Sequence, residues 1–510
     1  MTQSPPIRRR LAIVCLASSL TLMTTNIGAA SAAPVPSSTL VPSGVSLRVA
    51  PSAVQFVGDQ VINSILAQPA FNNTLVAANP MATGSVLLST WSASGTNWKV
   101  ASGTSIVTAA QAYDGTLNVS GQLNNITADV SAAITGLVNL RLSGTAAISD
   151  VTFSATAKIA PGVDGSVATV TVPTFTLIAH GVAVTVPGFP ADLVNTIVSG
   201  FQADIQNQLG AKLRSILAST VTSFANTFPS SLHITAFGGT VRPAASIATV
   251  SGAGGSLDLT ANAGLVPVTA NGPQGLTYDS AGTGPAPKAT TTAPDGTSYP
   301  IGAVVSKDLI NQAIAAATQA GVLNTTLTSA QIPALAQIGP LLSLFNLSTT
   351  ITNVRLRLVP SSAPALSLAA SGASLGTIAI NDFTVIVDVQ TAGQTDYTPL
   401  LSLTFSASAG FTLHQVGAKS LRPVLTSWPS VHGKSLTDLS SGLVLPGSVI
   451  DAIWSLIPSQ LLPFVNSMLP AIDIPKVGPY TLTVGSIWLT NTSGNFVSFA
   501  GNLTAPAPGT

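Results

Sequence analysis

The chain has 510 residues, of which only 7% are charged, with 18 Lys plus Arg against 17 acidic residues and a mean hydropathy of +0.51. That length predicts two or more domains with ample material for sizeable cores. The near balance of charge excludes a basic surface for nucleic acid or for strongly anionic membranes.

So high a hydropathy raises the question of a membrane span, and only the first residues come close to one. Arg8, Arg9 and Arg10 precede an apolar run from Leu11 to Met23, and Ala30-Ser31-Ala32 follows with the small side chains of a cleavage site. Residues 1–32 therefore read as a secretory signal peptide cut near Ala32/Ala33, with the general secretory route preferred over a twin-arginine reading of Arg8 and Arg9. Val14 is too bulky for the position before a lipidated cysteine, so Cys15 is not read as an anchor. Loss of Cys15 leaves a mature chain without cysteine, which excludes disulfides, thiol catalysis and thiolate metal sites and suggests a bacterial source. Without the leader's three arginines the mature chain carries a net charge of about −2.

Residues 33–44 are expected to be a flexible segment, and a short helix is predicted over Ser52 to Ala67 from the spacing of Val54, Val57, Val61 and Ile65. Alternating segments follow, among them Gly115–Ser120, Val138–Ser143 and Val167–Val172, whose period of two marks half-buried antiparallel strands. From Pro190 to Phe228 the period changes. Leu193, Ile197, Phe201, Ile205, Leu209, Leu213, Ile216, Val221, Phe224 and Phe228 fall on one stripe of a helix, with Gln202, Asp204, Gln206, Lys212 and Arg214 on the opposite stripe. At 1.5 Å per residue such a helix is about 55 Å long, which calls for an elongated body. Strand-like pieces then lie around Leu232–Ile234 and Leu257–Leu259.

A Gly, Pro, Thr and Ala-rich stretch over 271–300 buries too little apolar surface to hold a fixed fold by composition, and it reads as a linker between an N-terminal domain (45–270) and a C-terminal one (301–504). Beyond it the order repeats. Ser306 to Ala320 is predicted as a helix with Ser306 as N-cap and Gly321 as its stop. Strands at Val354–Leu358, Leu366–Leu368, Thr384–Val389 and Leu401–Phe405 lead to a second long amphipathic segment, Leu445 to Leu469, which Pro458 and Pro463 should kink. Two strands, Tyr480–Val484 and Val497–Leu503, precede a frayed tail over 505–510. The fold class is therefore α+β, built as two pseudo-repeated units of short helix, sheet, long helix and strand pair.

In the second half, Ser306-Lys-Asp-Leu-Ile-Asn-Gln-Ala, Ala320-Gly-Val-Leu-Asn-Thr-Thr-Leu, Ile332-Pro333, Leu366-Ser-Leu, Ala471-Ile-Asp-Ile-Pro and Phe499-Ala-Gly-Asn-Leu resemble, in order and spacing, the C-terminal domain of the bactericidal/permeability-increasing protein and its lipid-transfer relatives, in the tubular lipid-binding (TULIP) superfamily. The resemblance implies a boomerang of two elongated barrels, each a curved antiparallel sheet wrapped around a long helix, with an apolar pocket for lipid tails between sheet and helix. It implies no cofactor. Two departures stand out: the family's N-terminal disulfide cannot form, and the basic tip that lets some relatives seize lipopolysaccharide is missing, since Lys99, Arg141, Lys158, Lys212, Arg214 and Arg242 are scattered.

The expected lining is Leu193, Ile197, Phe201, Ile205, Leu209 and Leu213 in the first pocket and Ile314, Ile450, Ile453, Trp454, Ile457 and Leu461 in the second. A sixteen-carbon tail gains on the order of 10 kcal/mol from burial at about 0.8 kcal/mol per methylene, before entropy costs, with no charged group needed. The competing reading makes the same residues a solid core and the chain a non-enzymatic, β-rich surface or adhesion protein. The expected partners are lipids with long acyl chains and, transiently, a membrane surface; nucleic acid is not expected. Gly372-Ala-Ser374-Leu-Gly376 matches the nucleophile-elbow pattern, but strand-like residues follow Ser374 where that motif needs a helix, so no catalytic residue is assigned. His180, His233, His414 and His432 lack metal-ligand spacing, so no metal site is assigned.

Overall fold

Period-two alternation grows into strands much longer than the segments that announce it. The computed structural model describes residues 40–504 apart from 54, 57–75, 78, 87, 102–105, 112–115, 138, 163–167, 189, 231–233, 237–238, 252–254, 269–270, 274–285, 322, 334, 337–349, 372–373, 417–419, 441–450, 452–453, 455–471, 474–475, 478–479 and 491–494. In chain order, β1 (Val41–Val49) comes first, followed by β2 (Ala82–Val86), β3 (Ser89–Val100), β4 (Ile106–Gln111), β5 (Thr116–Thr135), β6 (Leu140–Pro161) and β7 (Ala168–Thr185). Helix α1 (Ala191–Ser230) is next, then β8 (Ile234–Ala236), β9 (Gly239–Ser251), β10 (Leu257–Pro267), β11 (Ile301–Ser306) and helix α2 (Lys307–Gln319). The chain continues with β12 (Thr326–Thr328), β13 (Ile351–Pro360), β14 (Ala365–Ser371), β15 (Ser374–Thr391), β16 (Thr398–Val416), β17 (Ser420–Asp438) and β18 (Ile472–Asp473), and closes with β19 (Lys476–Val477), β20 (Tyr480–Leu489) and β21 (Phe496–Thr504).

These strands form three antiparallel sheets. The N-terminal sheet runs β2-β3-β5-β6-β7 with β4 also on β5, and the C-terminal sheet runs β12-β13-β15-β16-β17-β18 with β14 on β15. The central sheet, β19-β20-β21-β11-β1-β10-β9-β8, draws strands from both ends of the chain. Its β1 includes Val41 to Gly44, which the sequence places in a flexible segment; β1 instead pairs with both β10 and β11.

Both outer sheets are curved, and left-handed residues lie at the bends. In the N-terminal sheet Asn97 (φ 51°), Asn125 (φ 55°) and Gly181 (φ 61°) interrupt β3, β5 and β7 at neighbouring levels, and Ser149 of β6 lies opposite Gly181 with its hydroxyl donating to the Gly181 carbonyl. In the C-terminal sheet Asp382 (φ 48°) and Gly433 (φ 61°) play the same part on β15 and β17, with Ser406 of β16 accepting from the Asp382 amide at 3.1 Å. In the C-terminal sheet these positions are β-bulges, which bend a strand and increase its twist; in the N-terminal sheet the register shifts at Asn97 and is kept across β5, β6 and β7 at Asn125, Ser149 and Gly181.

The central sheet buries one face against two different covers. Leu47, Val49, Leu257, Leu259, Ile301 and Leu482 pack with Ile159 and Ala168 from the ends of β6 and β7, while Val41, Val45, Ala263 and Leu265 pack under Leu309, Ala316 and Ala320 of the α2 region. The opposite face is covered by the second half of the stretch expected to lack a fixed fold. Residues 286–300 form a strap: the Ala286 amide donates to the Ser43 carbonyl, the Ala289 amide to Ser46 Oγ, and Ala289 packs on Val304 and Phe496. Main-chain hydrogen bonds and one small apolar anchor fasten a segment whose composition alone predicts none. Under the strap Asp258 is buried between Arg48 (3.6 Å) and Lys288 (3.9 Å), and loss of hydration raises its carboxyl above the ordinary value more than the two cations lower it.

Helix α2 has the predicted bounds to within a residue, with Ser306 Oγ accepting from the Leu309 amide at 3.2 Å. The short helix expected over Ser52–Ala67 is described only at 51–53 and 55–56, where it is helical; the rest lies outside the described residues. The second long segment also lies outside them, save for the helical Asp451 and Trp454. Among the described residues no helix is long and apolar enough to cross a membrane.

Candidate functional site

Helix α1 lies inside the N-terminal sheet and touches both of its edges. A Cβ at Gly200 would stand 2.5 Å from the Cβ of Ala82 on β2, so absence of a side chain there lets the helix approach that edge. On the other edge Gln202 Nε2 donates to the Ala179 carbonyl (3.2 Å) and Arg214 Nη2 to the Val172 carbonyl (2.5 Å), both on β7. The sequence reading places these two side chains on the polar stripe facing away from the core; in the structure they occupy acceptors of an otherwise open strand edge. No local signal marks them, because their partners lie more than twenty residues away.

Between these edges the apolar stripe is covered. Ile197 and Phe201 have no exposed surface, and Ile205, Leu209 and Leu213 are buried among Trp91, Leu123, Ile126, Val151, Phe153 and Leu177 of the sheet. The Trp98 ring lies 6.1 Å from that of Phe201. Residues flanking the stripe, Val194, Val198 and Leu217, stay partly buried against the same cluster. The side chain of Leu193 lies outside the described residues.

The second set of expected lining residues is not brought together among the described residues. Trp454 packs edge-on against Phe405 (centroids 5.9 Å, 87°) in a cluster with Phe383, Val385 and Leu403. Ile314 belongs to a different cluster, at the junction of α2, the C-terminal sheet and the central sheet. Ile450, Ile453, Ile457 and Leu461 lie outside the described residues.

Among the described residues that junction gathers an apolar cluster with many of its members incompletely covered. Leu366, Leu368, Phe411, Leu425 and Val497 form its floor, while Ile310, Ile314, Leu375, Ile378, Leu413, Ile487, Leu489 and Phe499 around them remain only partly buried. Helix α2 holds the junction in place through two adjacent polar side chains. Asn311 accepts from the Leu366 amide at 2.7 Å and donates to the Leu366 carbonyl at 3.3 Å, pairing with β14 as a strand would, and Gln312 accepts from the Leu265 amide of β10 at 3.3 Å. Neighbouring helix residues point about 100° apart, so one pair of side chains ties the helix to two sheets. Sequence reasoning missed Asn311, Gln312 and most of the rim; the signal available was a polar pair on the apolar face of a capped helix.

Three other chemistry-bearing groups, Ser374, Asp388 and His180, have structural partners. Ser374 begins β15, opposite Ser371 at the end of the antiparallel β14, and its hydroxyl lies 3.1 Å from that of Thr426, so strand and not helix follows the serine. Asp388 is fully buried and accepts from Arg355 Nε at 2.9 Å and from Arg357 Nε at 2.6 Å, with Arg355 stacked on Tyr397. The hydrogen bond to Asp388 raises the Arg357 guanidinium further above its ordinary value. His180 Nδ1 lies 2.8 Å from Asp150 Oδ1 on the outer face of the N-terminal sheet.

No protein-family model and no curated protein sequence matches the chain. Among solved structures it is similar to lipopolysaccharide binding protein, at 13% identity over 91% of this chain and 100% of that one, with a TM-score of 0.48. P47 of Clostridium botulinum E1 aligns at 9% identity over 91% of this chain and 100% of that one (TM-score 0.25), and Takeout 1 of Epiphyas postvittana at 8% over 33% and 87% (TM-score 0.20).

Proposed function

We propose that the chain is an extracytoplasmic lipid-binding or lipid-transfer protein that shelters long acyl chains in apolar sites between helix and curved sheet. The observation that carries this reading is the junction around Ile310 and Ile314, where apolar side chains of helix α2 and of two sheets pack together and many remain partly uncovered. A hydrocarbon tail would complete their burial at about 25 cal/mol for each Å² withdrawn from water. The covered stripe of α1 gains nothing comparable without first opening, so the junction is the primary site and the N-terminal interior the secondary one.

In this reading residues 1–32 direct export, residues 45–270 and 301–504 are two copies of one barrel unit, and the pair forms the boomerang implied by the resemblance. The matching rows, left-handed Asn125 and Gly181 on either side of Ser149 and left-handed Asp382 and Gly433 on either side of Ser406, support descent from one unit. The carrier needs no catalytic residue, and delivery requires transient contact with a lipid surface. The test is native mass spectrometry of the purified mature protein with lipid extraction. Stoichiometric acyl lipid is the expected result; a clean apo mass together with no uptake of a fluorescent fatty acid would refute the proposal and favour a solid-cored surface protein.

A further inference from the structure

The face of the C-terminal sheet turned away from its apolar core carries a pinned pair of arginines. Val354, Leu356 and Leu358 of β13 belong to that core, so Arg355 and Arg357 between them share the other face, and Asp388 of β15 pairs directly opposite Arg355. Arg357 grips both carboxylate oxygens, with Nε donating to Oδ2 at 2.6 Å and Nη2 to Oδ1 at 2.9 Å. That fork alone compensates the buried charge of Asp388. Arg355 adds a further bond, Nε to Oδ2 at 2.9 Å, and its guanidinium lies 4.2 Å from the centre of the Tyr397 ring. Two cations therefore stand against one anion. Among the described residues Asp396, in the turn before Tyr397, forms no ion pair with either arginine.

The unused donors define what the cluster can hold. With Nε committed, Arg355 keeps the end of its fork, Nη1 and Nη2, and Arg357 keeps Nη1; none of the three has a partner among the described residues, and the two side chains are 31% and 38% exposed. The bonds to Asp388 and the Tyr397 ring fix both guanidinia in advance, so little side-chain freedom remains to be lost on binding. Thr326 of β12 pairs opposite Arg357 and is exposed, which adds a hydroxyl on the same face. We propose that this cluster is a binding site for a phosphate group. A carboxylate offers two coplanar oxygens to a single fork, whereas donors from two guanidinia and a hydroxyl on the neighbouring strand suit the additional oxygens of phosphate. The site does not rest on the lipid-carrying reading. From Ile378 of the apolar junction to Asp388 the strand β15 runs roughly 30 Å at about 3.3 Å per residue, and the arginines lie on the face opposite the core.

The experiment is isothermal titration calorimetry of the full mature chain with inorganic phosphate and with glycerol phosphate, alongside co-sedimentation with phosphatidylglycerol vesicles. The wild type should bind the soluble ligands, and more weakly in about 0.5 M than in about 0.05 M salt, because partly exposed charges are screened. Arg355→Gln leaves Asp388 its two-pronged partner and should weaken binding by about tenfold or more. Arg355→Lys keeps the charge without the fork and should recover only part of that loss. Arg141→Gln, at an exposed arginine of the N-terminal sheet, should bind as the wild type does, and uptake of a fluorescent fatty acid should be unchanged in every variant. Circular dichroism and thermal midpoints check that the variants fold. Arg355-dependent binding of glycerol phosphate assigns the site to soluble phosphate esters; Arg355-dependent binding of the vesicles alone assigns it to a lipid headgroup. No binding of any of these probes by the wild type, equal binding by Arg355→Gln, or acetate bound as tightly as phosphate would overturn the proposal.

Discussion

Phe201→Ala and Ile314→Asp separate core from lining. Phe201 is wholly buried in the first third of α1, with Ile197 one turn before it, Ile205 one turn after and Trp98 at 6.1 Å across the interior. Removing its ring leaves a cavity that a curved sheet held at both edges cannot collapse, so the cost should reach the usual range for a large core residue, about 3–5 kcal/mol. Ile314 is only partly buried, so its replacement loses less apolar burial, while a carboxylate at that position puts charge where a tail would lie. Urea unfolding followed by tryptophan fluorescence gives the stability of each variant, and titration with a fluorescent fatty acid gives its binding. Phe201→Ala should unfold at clearly lower urea yet bind the fatty acid like the wild type below its transition. Ile314→Asp should bind at least about tenfold more weakly with a smaller change in midpoint. A Phe201→Ala protein that keeps its stability to within about 1 kcal/mol but loses uptake would show that α1 borders a void, and would reverse the assignment of the two regions.

Asn311→Leu removes both hydrogen bonds to Leu366 and should cost about 1–3 kcal/mol, read most directly as faster hydrogen exchange at the Leu366 amide while amides of β6 stay protected. Gly181→Ala should be more damaging than Gly433→Ala: both backbones are left-handed, but the new Cβ meets Ser149 Oγ at 2.2 Å in the first case and Ser406 Oγ at 3.9 Å in the second. Thermal midpoints compare them, and Ser149→Ala should recover part of the Gly181→Ala loss. Asp258 is held above its ordinary 3.8 by burial, so the native state binds its proton more tightly than the unfolded chain and stability falls as pH rises from 3.8 through the raised value. Asp258→Asn should flatten that part of the curve of thermal midpoint against pH; an unchanged slope would assign it to another group.

The sequence discloses α1 and α2 well because their signals are local: a stripe at helical spacing over Ile197 to Leu213, and a serine cap and glycine stop around 306–321. The strand segments are legible for the same reason, although the alternation understates β5 and β6, which run to 20 and 22 residues. What escapes local reading is anything settled by a distant partner. Gln202 and Arg214 look like solvent-facing residues until β7 presents its edge to them, and the strap over 286–300 looks free until Ser43 and Ser46 supply its hydrogen bonds. The pocket residues show the same limit. A helical stripe identifies what turns inward, but the completeness of its cover depends on the facing sheet, so Phe201 and Ile314 read alike in sequence and differ in burial.

Both helices do to a sheet edge what another strand would do, and this bears on how a carrier could open. A strand added to β7 or to β14 would form a ladder of main-chain bonds and close the interior permanently. Helix α1 instead bonds to β7 through the side chains of Gln202 and Arg214, and α2 bonds to β14 through the side chain of Asn311. Side-chain bonds of this kind contribute about 1 kcal/mol net apiece, well below the cost of parting a ladder. At α1 the buried stripe adds apolar packing to those bonds, whereas Ile310 and Ile314 of α2 are only partly buried, so the α2 seam is the weaker of the two. At α2 that seam borders the partly uncovered cluster directly, so a tail entering there would displace few contacts and would be admitted without unfolding either sheet.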